Sequence, residues 1–404
     1  MSELRGAFLG RCDRVKFAAA CLAAVAAVRV VLMLVELPAR YSQVDFSVYY
    51  LSGYLLRSGE NPYTSDLTRL GARLGMDTHG IPRATDPPTF LAILEPLTLL
   101  PPKPAYWTWQ VLNALALAAS LWMLLGRRSG LRPEAGIAMA AFAVIDPATV
   151  SHFFFAQNKV QILLLLVLAM RWLEVRRDGA AGMALAAACL MRIFPLLIIG
   201  YLMIKRRWRA VVFTIAGLIG GLIVTCVLVG LKVVMSFGNA IEVLTATRWL
   251  HYDTNVALAA FVSRLYWSRF GESPAAQIEM LRHATITVVS LAMLACTCLV
   301  TFRRAPEKDR DSRLYALWVT TAIVLSPTAW IHYMVLLFIP FARIFTSASR
   351  NRFAMALTIA SYMLLMTACP DGCITRFIPY TTTLSLMLAW SAALAFAVGP
   401  ASGD

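Results

Sequence analysis

Metal chemistry is poorly served by this sequence. It has only five histidines, and its eight cysteines follow none of the short paired spacings of zinc or cluster sites. Cys21, Cys189, Cys226, Cys296 and Cys298 lie inside apolar runs and read as small buried hydrophobes. Cys369 and Cys373, in CPDGC, fall where an outer surface is expected, so a disulfide there and two free thiols beside a turn both stay open. Charged residues make up only 15% of the chain, and acids are the scarcer kind, with 22 Asp and Glu against 37 Lys and Arg. In a soluble domain a formal charge of +15 would point to nucleic acid. Here the basic residues form short clusters between apolar runs instead of one continuous face, which excludes nucleic acid as a partner. No internal repeat is visible, and that weakens a secondary-carrier reading, since many such folds are duplicated. The first apolar run, Phe17 to Leu37, is longer than a signal h-region and no small-residue cleavage site follows it. It reads as a retained first helix.

What the chain has in abundance is hydrocarbon. Its residues are 59% hydrophobic, against about 45–50% in soluble domains. The expected fold class is therefore an all-α polytopic membrane protein. About 20 apolar residues are needed to cross a bilayer. That rule predicts segments near 17–37, 105–125, 133–150, 159–175, 210–231, 282–302, 314–328, 329–346, 353–370 and 381–399. A further stretch, 180–204, is split by Arg192 and Pro195.

Basic clusters set the expected orientation. Arg5, Arg11, Arg14 and Lys16 place the N-terminus in the cytoplasm by the positive-inside rule. The clusters at Arg127/Arg128/Arg132, Arg176/Arg177, Lys205–Arg209, Arg303–Arg313 and Arg350/Arg352 then share that side only if 180–204 enters and returns as two half-helices turning near Arg192. The result is about twelve transmembrane or re-entrant segments in a single membrane domain, 1–404, with both termini cytoplasmic. Two long extracytoplasmic loops remain, 38–104 and 232–281. The first should carry a polar helix near 66–75 and an apolar part, 89–100, too short to span. The second should carry an amphipathic helix from Val256 to Phe270.

On that topology the informative polar residues collect at one leaflet. Asp45 stands at the outer exit of the first helix and Asp86 later in the same loop. Gln157, Asn158 and Lys159 open the fourth segment, and Arg192 sits at the outward tip of the split one. Arg248, His251 and Asp253 lie in the second loop, and Trp330, His332 and Tyr333 at an outer junction. Charged groups at membrane depth are costly and usually face a cavity or a partner. Each also has a plainer reading. Asp45 could cap its helix, Lys159 could snorkel to headgroups, and His332 beside Trp330 could belong to an interfacial belt. Tyr49, Tyr50 and Tyr63 could be packing.

Five stretches occur in order: DFSVYYLSGYLLRSGENPY, PPTFLAILEPLTLLP before a helix bearing Trp and Asn, AQNKVQILLLLVLA, AAGMALAAACLMRIFPLLIIGYLMIKRRWRA, and LSPTAWIHYMVLLFIP. Together, over roughly residues 40–345, they resemble the bacterial glycosyltransferases of family 87, which have the GT-C fold and include polyprenyl-phosphate-mannose-dependent α-mannosyltransferases of mycobacterial glycolipid synthesis. The resemblance implies an integral enzyme of the bacterial plasma membrane, its active site on the extracytoplasmic side. Such an enzyme passes a hexose, here mannose, from a polyprenyl-phosphate donor to a membrane-associated lipid or glycan acceptor, with inversion and without a metal or other cofactor. It implies Asp45 as the general base and maps His332 and Arg192 onto family positions; because a departing phosphate needs cations, Arg192, Lys159, His332 and Arg248 are expected to hold the donor phosphate. Tyr49, Tyr63, Asp86, Gln157, Asn158, His251, Trp330 and Tyr333 are left to line the sugar and the acceptor. Two departures stand out: the family's Gly-Gln appears as Ala156-Gln157, and Asp86 stands where relatives often carry Tyr. The first loop has no D-x-D pair, consistent with a metal-free site. A polyprenyl-phosphate-pentose (arabinose-type) transferase and a transporter or flippase of lipid-linked sugars are the alternatives.

Overall fold

The computed structural model describes residues 2–42, 45–78, 80–126, 131–240, 247–252, 254–271, 275–303, 310–346, 351–367 and 381–398, without the side chains of 2–14 and 247–248. Asp253, Cys369, Cys373 and Arg127/Arg128 fall outside the described residues, and the side chain of Arg248 is also outside them. Among the described residues the chain is helical throughout, and its one β-bridge joins Asn255 to Trp330.

In chain order the helices are α1 (Ser2–Glu36), α2 (Asp45–Arg57), α3 (Leu67–Leu74), α4 (Pro88–Leu94), α5 (Pro102–Leu125), α6 (Pro133–Ile145), α7 (Pro147–Phe154), α8 (Lys159–Glu174) and α9 (Asp178–Met191). They continue as α10 (Ile198–Ile204), α11 (Trp208–Val229), α12 (Leu231–Met235), α13 (Leu258–Phe270), α14 (Ala276–Phe302), α15 (Arg310–Val324), α16 (Phe338–Thr346), α17 (Arg352–Met366) and α18 (Thr381–Val398). Five stretches are long and apolar enough to cross a membrane: Val15–Ala39, Pro102–Leu125, Trp208–Val229, Ala276–Phe302 and Thr381–Val398. The pair α6 and α7, bent by 49°, makes a sixth if counted as one span. Val25, Val28, Val31 and Val35 on α1, with Val224, Val227 and Leu228 on α11, are exposed. Solvent-facing stripes of that kind belong against lipid.

Of the twelve expected segments, five are long enough to span and α6 with α7 gives a sixth; the others are shorter helices among the described residues. The predicted span 329–346 is the clearest correction. Residues Ile331–Leu337 wind as a 3₁₀ helix and only Phe338–Thr346 is α-helical. Pro340 explains the break, because it has no N–H to give back to the previous turn and its ring crowds the carbonyl of residue 336. The preceding span stops at Val324 instead of 328; Ser326 stands before Pro327 and is steered out of helical geometry. α14 begins at Ala276, six residues before its predicted start at 282, which shortens the second loop.

The split segment behaves as its sequence predicts. Asp178, at the start of α9, pairs with Arg207, just beyond α10, at 3.3 Å. The Arg207 guanidinium also donates to the Leu173 carbonyl at 2.5 Å. Residues 29 positions apart can meet this way only if the chain doubles back, and the turn lies at Arg192, which leaves helical geometry as the residue after α9. The legs of this hairpin are 14 and about 11 residues long, near 20 Å or less at 1.5 Å per residue. Neither alone crosses a hydrocarbon core of about 30 Å.

The base of the hairpin sits in an ionic belt. Lys205 pairs with Asp311 at 2.7 Å. Glu174 takes Arg171 at 2.9 Å and also pairs with Arg343. The basic clusters after α8 and α10 and the start of α15 thus share one end of the bundle. The opposite end carries Lys159 and Arg192, the far termini of α8 and α9. Close packing of α9 on α11 positions the tip, and Gly182 permits it. A Cβ there would overlap the Ala210 carbonyl oxygen and stand 2.9 Å from the Thr214 nitrogen. We expect Gly182→Val to force α9 off α11 and to cost about 1–3 kcal/mol, read as a lower melting temperature of the purified protein. An unchanged melt would mean the contact is not needed.

Candidate active site

Asp45 opens α2, and its carboxylate is reached from far along the chain. Gln157 Nε2 donates to Asp45 Oδ2, 112 residues away. The carboxylate is thereby committed to the turn before α8 instead of capping its own helix. Gln157 Oε1 in turn accepts from Tyr49 Oη at 3.0 Å and from Lys159 Nζ at 3.0 Å. Tyr49 is one helical turn beyond Asp45, so the two share a face of α2. Lys159 is fully buried. Its ammonium also donates to Asn158 Oδ1 at 2.6 Å and lies 4.5 Å from the centre of the Tyr333 ring. A buried ammonium is tolerated only with such partners. It stands at the positive end of α8, where the helix dipole disfavours it, so the position favours an added anion.

A second charged pair adjoins the first. Arg192 Nη2 meets Asp86 Oδ1 at 2.6 Å, and Tyr63 Oη donates to the Asp86 backbone carbonyl at 2.6 Å. Asp86, Lys159 and Arg192 all lie within electrostatic reach of Asp45. Burial, and then the negative charge of Asp86, push the Asp45 carboxyl up to about 6, against the pull of Lys159 and Arg192. A cavity of about 390 Å³ lies beside Arg192. Phe194, Phe237, Leu325, Pro327 and Tyr333 are among its largely apolar walls.

The structure therefore brings together Asp45, Tyr49, Tyr63, Asp86, Gln157, Asn158, Lys159, Arg192 and Tyr333. His332 is buried next to Tyr333, with ring centres 5.5 Å apart, and its Nε2 has no hydrogen-bond partner among the described residues. It feels the charge of Lys159 and Arg192. Two assigned residues lie elsewhere. His251 is exposed and stacks on Trp267 at 4.0 Å, in a group with Arg282. Trp330 packs on Trp249 and Tyr252. Their loop is nonetheless tied to the His332 segment: Val256 N–H donates to Ala329 O, Ile331 N–H to Thr254 O, and Asn255 Oδ1 accepts from Ala329 N–H.

Two features escaped the sequence reading. His152, on α7, is completely buried, and among the described residues neither of its ring nitrogens has a hydrogen-bond partner; its imidazole acts electrostatically on His332. An imidazole five residues before a Gln-Asn-Lys run is a weak signal inside an apolar segment. The other feature is Ala156, whose φ is +45°. This is the left-handed region, which costs a residue with a Cβ about 1 kcal/mol or more. The turn is held there because Trp109 Nε1 donates to Ala156 O at 2.7 Å and Gln157 N–H to His152 O at 3.0 Å. The glycine of the Gly-Gln pattern thus has a backbone reason. We expect Ala156→Gly to raise the melting temperature by a few degrees, about 1 kcal/mol of stability, with transfer retained; a lower melt would refute the strain.

Comparison with known proteins now bears on this geometry. The model of glycosyltransferase family 87 matches residues 84–327, more than half of the chain. That segment holds Asp86, Gln157, Asn158, Lys159 and Arg192 and leaves out Asp45, Trp330, His332 and Tyr333. No curated protein matches the chain.

Proposed function

The chain belongs to glycosyltransferase family 87 and is a membrane glycosyltransferase, and from that premise we propose that it moves mannose from a polyprenyl-phosphate donor to a membrane-associated glycolipid or glycan acceptor. The observation that carries this reading is the buried network in which one base candidate, Asp45, shares Gln157 with Lys159 beside the Arg192–Asp86 pair.

In the proposed step the acceptor hydroxyl oxygen attacks C1 of the sugar from the face opposite the phosphate. The C1–O bond breaks, its electron pair leaves on the phosphate, and the hydroxyl proton passes to Asp45. The configuration at C1 inverts. Lys159, Arg192 and His332 offset the charge growing on the departing oxygen. A monophosphate carries less charge than a diphosphate, so these side chains suffice for the step without a metal. Asp86 is a poorer base candidate because its carboxylate is already paired with Arg192. Tyr49, Tyr63, Gln157, Asn158 and Tyr333 wall the sugar. His251, on the loop tied to the His332 segment, and Trp330 in that segment are assigned to the acceptor side, and Arg248 on the same loop keeps its proposed place at the donor phosphate. The positive-inside rule supports an extracytoplasmic position for this end of the bundle, and the proposed membrane is a bacterial plasma membrane.

The test uses the purified full chain in liposomes, with polyprenyl-phosphate mannose labelled in the sugar and no transmembrane gradient. We expect stoichiometric release of polyprenyl phosphate with appearance of a labelled lipid product. Passage of intact donor across the bilayer without release would make the protein a flippase instead. Preferential use of a polyprenyl-phosphate arabinose donor under the same conditions would move it to the pentose transferases.

A further inference from the structure

Arg29 lies inside the apolar span Val15–Ala39, about 15 Å from its C-terminal end at 1.5 Å per residue. A guanidinium at that depth is costly and calls for a partner. Its side chain runs toward Phe154, where its guanidinium carbon is 5.8 Å from the ring centre. Arg40, just beyond the same helix, reaches the same ring at 5.0 Å. Two like charges are thus gathered on one aromatic ring. Among the described residues neither guanidinium forms an ion pair with a carboxylate. A cation–π contact holds and orients each arginine but does not neutralise it, and the mutual repulsion of the pair remains. An anion within reach of both would relieve it.

The surroundings say which anion. The span is lipid-facing, with Val25, Val28, Val31 and Val35 exposed, and Phe154 ends α7 close to the polar end of the bundle. Lipid phosphate is the anion of the adjoining membrane surface, where Arg40 lies just beyond the span and toward which Arg29 extends to reach the same ring, and paired guanidinium groups fit its oxygens by bidentate hydrogen bonds. We propose that Arg29 and Arg40, arranged over Phe154, bind the phosphate of a membrane lipid at a site separate from the cations assigned to the donor. The next residue along the chain, Phe155, has its ring 6.3 Å from that of His332. A lipid held here presents its headgroup beside the transfer network. The proposal stands on this geometry whether or not the transfer chemistry is as described above.

Binding of short-chain lipids to the full chain in a non-ionic detergent tests it, read by native mass spectrometry and by thermal shift. The probes are dioctanoyl phosphatidylglycerol, dioctanoylglycerol as the phosphate-free control, and inorganic phosphate. We expect phosphatidylglycerol to bind at least tenfold more tightly than dioctanoylglycerol. The pair of substitutions Arg29→Gln and Arg40→Gln should remove that preference, whereas Arg29→Lys with Arg40→Lys, which keeps both charges, should retain most of it. Equal binding of phosphatidylglycerol by the wild type and the double Gln variant would overturn the site. Inorganic phosphate matching the lipid in affinity would overturn its assignment to a lipid. Because every readout is binding, failure here leaves the transfer assay untouched, and failure of transfer leaves this one interpretable.

Discussion

Asp45→Asn should lower sugar transfer by about 10³-fold, within the usual range for removing a general base. The protein should remain folded. Asn keeps the shape of the side chain and an oxygen that can still accept from Gln157, so the α2-to-α8 contact survives while proton acceptance is lost. The pH profile separates this from a structural effect. With the carboxyl pushed up to about 6, the base form is depleted below that pH. Transfer by the wild type should therefore fall one decade per unit on the acid side and level off above about pH 7. Asp86→Asn removes a negative charge that raises Asp45, so its acid limb should move to lower pH. Residual transfer in Asp45→Asn should show no limb near 6. Near-normal rates in membranes at matched expression would take Asp45 out of the reaction.

The second large effect belongs to Arg192→Gln. Arg192 is proposed to hold the leaving phosphate, and removing one such group typically costs about 10²–10³ in rate. It is also one half of a mostly buried ion pair, so the substitution strands the Asp86 carboxylate. Breaking a buried pair from one side costs about 3–5 kcal/mol, reduced here by the partial exposure of Arg192. The two losses can be told apart. Adding Asp86→Asn to Arg192→Gln should recover most of the stability, because no lone charge is left, and recover none of the rate. If the double variant regained transfer, Arg192 would serve only to hold Asp86.

Much of this was legible in the sequence, for physical reasons that also explain the gaps. The hairpin at 178–204 could be inferred because charge placement allows few topologies: KRRWR cannot share a side with Arg176/Arg177 unless the chain returns. Asp45, Lys159 and Arg192 stood out because ionisable groups are rare in apolar surroundings and each demands a reason. The Asp86–Arg192 pairing was not legible. It joins a loop to a hairpin tip across more than 100 residues, and no local pattern encodes it. Helix ends were misjudged where proline rules and hydropathy disagreed, as at 329–346. His251 stacks on Trp267, apart from the Asp45–Lys159 network, a placement that its residue type alone does not reveal. His152 shows the opposite error, since a histidine between apolar residues gives no sign of whether its nitrogens will find partners.

The hairpin has a mechanical consequence. Its base is fixed by Asp178–Arg207 and Lys205–Asp311, and its only charged residue at the other end is Arg192. The Arg192–Asp86 pair and the packing of α9 on α11 hold the tip as well, so a strain in α9 or α10 moves the guanidinium only as far as those contacts yield. Stiffening either leg, or loosening either anchoring pair, should therefore alter how quickly Arg192 follows a phosphate without changing what it contacts.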